Sequence, residues 1–142
     1  MSDRFVLDCS VTMAWFFEDE ATPAIDALLD QLNQGGQAVV AQHWLLEVGN
    51  TLLMSERRKR STLADSVHFL SILGALAVDT DKETGANATS ATLALARSHG
   101  LTLYDGAYLE LAIRRKLPLA TLDKELRAAA KEVGVKCLPE KL

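Results

Sequence analysis

The chain has 142 residues, 49% of them hydrophobic and 24% charged, proportions that suit one compact domain, residues 1–142, with a sizeable core. Its net charge of −4 lacks the basic excess of a bulk electrostatic nucleic-acid binder, so a polyanion would have to meet a local basic patch or a bound cation. No window approaches the roughly 18 apolar residues of a membrane span, and the opening MSDRFVLDCS lacks a basic segment followed by a long apolar one, so a cytoplasmic protein is expected.

Residues 5–7 (FVL) read as a short buried strand, and a helical pattern follows from 11 to about 18. A second helix runs through ATPAIDALLDQLNQGG, with Thr22 at its N-cap, Pro23 in its first position and Gly35-Gly36 past its end. QAVVAQ is the next strand, and HWLLEVGNTLLMSERRKR a long helix that ends in a basic run. TLADSVHFLSILGAL continues as helix and ALAVDT as a short strand. ETGANATSATLALARSHG reads as a single Ala-rich helix ending at Gly100. LTLYDGAYLELAIRRKL begins extended and turns helical. PLATLD is a strand, KELRAAAKEVG a helix and VKCL a last strand. Strands alternating with helices indicate an α/β domain with a mostly parallel sheet.

Cys9 and Cys137 lie far apart and fit no metal-binding spacing. They read as two buried free thiols, with a disulfide between them as the alternative. His68 and His99 read as helix-surface residues.

In an open parallel sheet, ligands bind outside the carboxyl ends of the strands. Asp8 follows FVL, Asp123 follows PLATL, and Asp105 follows LTLY at a helix start. Each alone fits an N-cap, worth about 1 kcal/mol. Their joint placement points elsewhere: parallel strands would bring Asp8 and Asp123 to one sheet edge, where Asp105 could join them. Close carboxylates repel one another unless something positive sits between them, and Mg²⁺ or Mn²⁺, which take oxygen ligands, answer that need. Glu47 lies inside HWLLEVGNTLL, where capping cannot explain it. His43, Glu47 and Asn50 share a polar stripe at helical spacing, either a solvated face or part of a site. Ser10 and Thr12 follow Asp8, and Thr121 precedes Asp123 by two residues. Ser10, Thr121 and Asn50 are placed to support the carboxylates.

The stretches FVLDCSVTMAWFFEDE, WLLEVGNTLL, LTLYDGAYLELAIRRKLPLATLDKEL and AAAKEVGV, in this order and spanning nearly the whole chain, resemble PIN-domain proteins, specifically the VapC-type toxins of toxin–antitoxin modules. The resemblance implies a three-layer α/β/α sandwich with a mostly parallel central sheet. It implies a metal-dependent endoribonuclease with Asp8, Glu47, Asp105 and Asp123 as catalytic residues and as ligands of Mg²⁺ or Mn²⁺, directly or through water. Ser10, Asn50 and Thr121 match the family's supporting polar positions, and Gly106 stands where many relatives carry Ala. It further implies in-line cleavage to a 5′-phosphate and a 3′-hydroxyl, a homodimer, and inhibition by a VapB-type antitoxin.

Contact with the RNA backbone needs cations. Arg57, Arg58, Lys59 and Arg60 in ERRKR, and Arg114, Arg115 and Lys116 in IRRK, are the candidates. The first cluster equally suits a solvated loop, and the second a helix C-terminus. Trp15, Phe16 and Phe17 read as core or, where exposed, as a partner surface. A haloacid-dehalogenase phosphatase would need a second Asp where Ser10 stands, and a receiver domain would need an acidic pair where Asp8-Cys9 stands. A catalytically silent PIN-like module that binds RNA or a partner is the non-enzymatic alternative.

Overall fold

A computed structural model describes residues 3–142. Met1 and Ser2, at the head of the stretch read as lacking a leader, lie outside the described residues. The first half runs β1 (Arg4–Leu7), α1 (Cys9–Ala14), α2 (Pro23–Asn33), β2 (Gln37–Val40), α3 (Trp44–Arg57), α4 (Leu63–Gly74) and β3 (Val78–Thr80). The second runs α5 (Thr84–Asn87), α6 (Ala91–His99), α7 (Leu103–Arg115), β4 (Leu119–Ala120), α8 (Lys124–Glu132) and β5 (Cys137–Leu138).

The five strands form one all-parallel sheet in the order β3-β2-β1-β4-β5, flanked by helices as a three-layer α/β/α sandwich. Every residue of Phe5–Leu7 is fully buried, as expected of a parallel strand covered on both faces. The chain winds outward from β1 to β2 and β3, then returns to the other side of β1 for β4 and β5. The winding therefore reverses between β1 and β4, and the crevice beyond their carboxyl ends is the place where such sheets bind ligands.

Local chemistry sets the element ends. Thr22 caps α2 through Ile25 N–H, with Pro23 at the first position as read from sequence. Thr62 and Asp65 close a capping box on α4. Gly36 is required at the end of α2, where a Cβ would lie 2.7 Å from the Gln31 carbonyl oxygen.

Three expectations are corrected. The first helix starts at Cys9, because Asp8 caps it, and ends at Ala14, giving way to a 3₁₀ turn over Glu18–Glu20. The Ala-rich helix is broken in two, with Ser90 well outside the helical region between α5 and α6 (φ −121°, ψ −100°). LTLY contributes no strand: Thr102 caps α7 through Asp105 N–H, so the helix begins at Leu103. Capping by a threonine hydroxyl was the competing signal, and it outweighed the β-tendency of a three-residue apolar stretch.

Candidate active site

Asp8 and Asp123 reach the crevice by the same device. Each is the first residue past a strand or its short extension, and each caps the following helix. Asp8 Oδ1 accepts from Val11 N–H at 3.1 Å and from the Ser10 hydroxyl at 2.7 Å. Asp123 Oδ1 accepts from Leu126 N–H at 2.8 Å. The two turns are laced together: Asp8 N–H donates to Ala120 O, Leu122 N–H to Ser10 Oγ at 2.9 Å, and Asp123 N–H to Thr121 Oγ1 at 3.1 Å. Ser10 and fully buried Thr121 thus bridge β1 and β4 at the switch point.

Glu47 arrives on the first turn of α3, whose start is tied to β1 through side chains. The Trp44 indole N–H donates to Thr12 Oγ1 at 2.9 Å, and that hydroxyl donates to Asp8 O at 2.7 Å. The carboxylate is held from α7, where the Tyr108 hydroxyl donates to Glu47 Oε1. His43 Nε2 lies 3.6 Å from the same oxygen, too long for a hydrogen bond. Asp105 sits one turn before Tyr108 on α7. Its own backbone is capped by Thr102, so its carboxylate plays no capping part.

The electrostatics show that these acids share one region. Burial, followed by repulsion from Asp123 and then Glu47, pushes Asp105 up to about 6. Asp8 is raised to about 6 by burial, eased by Thr121, Ser10 and Val11 and reinforced by Asp105. Burial and the neighbouring Glu47 push the Tyr108 phenol far up, so it remains a donor. Among the described residues no Lys or Arg pairs with Asp8, Glu47, Asp105 or Asp123. Nor do any three His, Cys, Asp or Glu side chains among them stand close enough together to hold a metal ion. This pattern, concentrated negative charge with few protein ligands in place, suits an ion such as Mg²⁺ that keeps several waters and takes only one or two carboxylates.

Asn50 is exposed on α3 between exposed Leu46 and Leu53, a turn away from Glu47. Arg57 is ten residues beyond Glu47 on α3, about 15 Å along the axis. Arg58, Lys59 and Arg60 follow it, and Arg60 lies over the Phe17 ring at 4.8 Å while pairing with Asp19. Arg114 is engaged by Asp81, Glu110 and Glu83, and Arg115 by Asp79 and Asp81. Their guanidinium donors are committed within the fold.

Both cysteines are free but half-buried, so the reading as buried thiols is corrected. Cys9 packs beside the site at 3.8 Å from Thr51 Oγ1, and burial pushes its thiol up to about 12, which makes it a poor nucleophile. His99 is tucked in and pairs with Glu132 at 3.1 Å, unlike the surface residue expected. Sequence reading overlooked Tyr108 and Asp81. The three-residue spacing from Asp105 to Tyr108 places both on one helix face, a signal present in YDGAY. Fully buried Asp81 follows β3 as Asp8 follows β1, but it serves Arg114 and Arg115.

Comparison with known proteins agrees with this architecture. The family model described as PIN domain matches residues 5–132. A search among curated proteins found no match. Among solved structures, the crystal structure of PAE2754 from Pyrobaculum aerophilum is similar, with a TM-score of 0.70 and 25% sequence identity over 97% of this chain and 92% of that one. PIN domains are generally metal-dependent nucleases acting on RNA. With nearly its whole length matched, this chain belongs to the PIN domain family.

Proposed function

We propose that the chain is a Mg²⁺- or Mn²⁺-dependent endoribonuclease and the toxin of a toxin–antitoxin pair. One observation supports the reading: Asp105 is raised by the charges of Asp123 and Glu47, Asp8 is raised in turn by Asp105, and among the described residues no Lys or Arg pairs with any of the four. Such repulsion is retained where a cation completes the site.

These carboxylates would hold the ion, some directly and some through water. When bound, the ion lowers the pKa of a water and offsets charge on the attacked phosphate. The protein's own part is orientation. Ser10 and the Val11 N–H hold Asp8 Oδ1 and so fix the rotation of the carboxylate. Tyr108 does the same for Glu47 through Oε1. Thr121 fixes the turn that delivers Asp123.

Two surfaces support the partner assignments. A cavity of about 600 Å³, lined by Trp15, Phe16, Phe17 and Phe69 with Arg60 and Asp19 at hand, suits the apolar anchors of a VapB-type antitoxin. On α4, Leu63, Val67 and Leu70 recur at helical spacing and stay exposed, as a homodimer face would. Sedimentation of Val67→Glu as a dimer would count against that face.

The deciding experiment incubates the purified chain with structured RNAs plus Mg²⁺ or Mn²⁺. Cleavage that EDTA and Asp8→Asn both abolish is expected. Robust cutting by the Asp8→Asn protein would overturn the assignment, and binding without cutting would favour the silent module.

A further inference from the structure

Arg127, near the start of α8, spends its guanidinium on backbone carbonyls and on no carboxylate. Nη1 donates to Thr121 O at 2.8 Å, and Nη2 donates to Pro139 O at 2.6 Å and to Glu140 O at 3.3 Å. Among the described residues no Asp or Glu forms an ion pair with it.

The sheet explains why a long donor is needed there. β5 is an edge strand paired with β4, and their ladder stops just past Leu138. Thr121 N–H still donates to Leu138 O at 3.0 Å, but among the described residues no backbone N–H reaches Thr121 O. The next residue after β5 is buried Pro139, which has no N–H to give. Buried carbonyls are nearly always satisfied. One arginine supplies the donors for both residues, and so ties the end of β4 to the segment that follows β5.

That end of β4 is also where two of the four acids are set. The hydroxyl of fully buried Thr121 accepts from Asp123 N–H at 3.1 Å. It stands 3.5 Å from the Ser10 hydroxyl, which donates to Asp8 Oδ1 at 2.7 Å, and it eases the burial of Asp8. Arg127 meets the same turn a second time, because its own N–H donates to Asp123 O at 2.9 Å. The side-chain grip on Thr121 O is the one that a substitution removes.

We propose that Arg127 is a positioning residue of the carboxylate centre: by clamping Thr121 to residues 139 and 140, it fixes the turn that presents Asp123. The segment after β5 thereby belongs to the architecture of the site although it supplies no ligand. The proposal rests on the metal-dependent reading above and adds to it a side chain that holds no ion itself.

The test compares Arg127→Met, which keeps an unbranched side chain and removes the donors, with Arg127→Lys, both in the full chain. Calorimetric titration with Mn²⁺ should show affinity weakened about tenfold or more in Arg127→Met. Arg127→Lys keeps the charge but lacks the planar fork that spans several carbonyls, so its affinity should lie between that of Arg127→Met and wild type. Amide hydrogen exchange on the metal-free proteins gives a second readout. The Asp123 N–H should lose protection in Arg127→Met, while the Val6 N–H, in the central strand, keeps its wild-type protection. Wild-type Mn²⁺ affinity in Arg127→Met would overturn the proposal and leave the metal reading in place. So would equal losses in the Met and Lys variants, unchanged protection at Asp123, or a loss at Val6 as large as that at Asp123. Absence of Mn²⁺ binding by the wild-type chain, or binding unaffected by Asp8→Asn, would overturn the two together.

Discussion

Asp8 Oδ1 is occupied by the Ser10 hydroxyl and the Val11 N–H, both of which an amide oxygen could also satisfy. Asp8→Asn should therefore keep the helix cap while removing a charge that burial disfavours. The sign follows from the raised pKa. The folded state binds this proton near pH 6 and the unfolded chain only near 3.8, so the contribution to stability is fully present below about 3.8 and is lost as pH rises through about 6. Metal-free wild type should lose on the order of 2 kcal/mol to this group between those limits. Denaturant melts of the Asp8→Asn protein at pH 7.5 should show higher stability than wild type and a flatter pH profile. Equal or lower stability at that pH would contradict the electrostatic account. Tyr108 poses the complementary case. Phe keeps the ring against His43, at 5.0 Å, and deletes only the hydroxyl that holds Glu47. Tyr108→Phe should weaken metal affinity by roughly 10- to 100-fold with little change in melting temperature. Calorimetric titration with Mn²⁺ reads the first quantity, and unaltered affinity would assign Tyr108 to packing alone.

At the scale of elements, α7 carries both Asp105 and Tyr108, and its far end is anchored by ions. Arg114 meets fully buried Asp81 at 2.8 Å and Glu110 at 2.7 Å, and Arg115 meets Asp81 at 3.0 Å. These contacts hold Asp81 well below the usual carboxylate range despite its burial. Removing one partner leaves charge buried and uncompensated, so Arg114→Met should cost about 3 kcal/mol or more in urea unfolding. A loss within 0.5 kcal/mol would show that solvent replaces the contact. The same helix shows what the sequence revealed and what it hid. Strands bounded by turn residues and the acids at their ends were legible, because period and capping are local signals. The start of α7 was misread, because LTL is apolar and β-tolerant while the decisive Thr102 hydroxyl acts three residues ahead. Asp81 and Arg114 were hidden for another reason: 33 residues separate them, and only the sheet order brings β3 near the end of α7. Gly106, which reads as a slight weakness at a helix start, is placed where α6 crosses. A Cβ there would lie 3.3 Å from the Thr92 carbonyl oxygen.

For the molecule as a whole, the sheet order brings Asp8 and Asp123 to the switch point, Asp105 and Glu47 add their charge from α7 and α3, and among the described residues no Lys or Arg offsets it. A divalent ion that binds only the folded state should then stabilise the whole domain by linkage, by about 2.7 kcal/mol at a hundredfold excess over its dissociation constant. For a chain of this length that is roughly 8 °C in melting temperature. Protons compete for the same oxygens, since Asp8 and Asp105 both titrate near 6. The Mg²⁺- or Mn²⁺-induced shift should thus be large at pH 8 and much smaller at pH 5, because metal displaces two protons in acid and none in base. The metal-free protein should move the opposite way and melt higher at pH 5 than at pH 8 as its repelling carboxylates are neutralised. Calorimetric scans with and without metal at the two pH values separate the curves, with Asp8→Asn as the control that should respond weakly at both. Equal metal-induced shifts at pH 5 and pH 8, or a full shift in Asp8→Asn, would mean that the ion binds elsewhere on the surface and that the switch-point carboxylates are not its ligands.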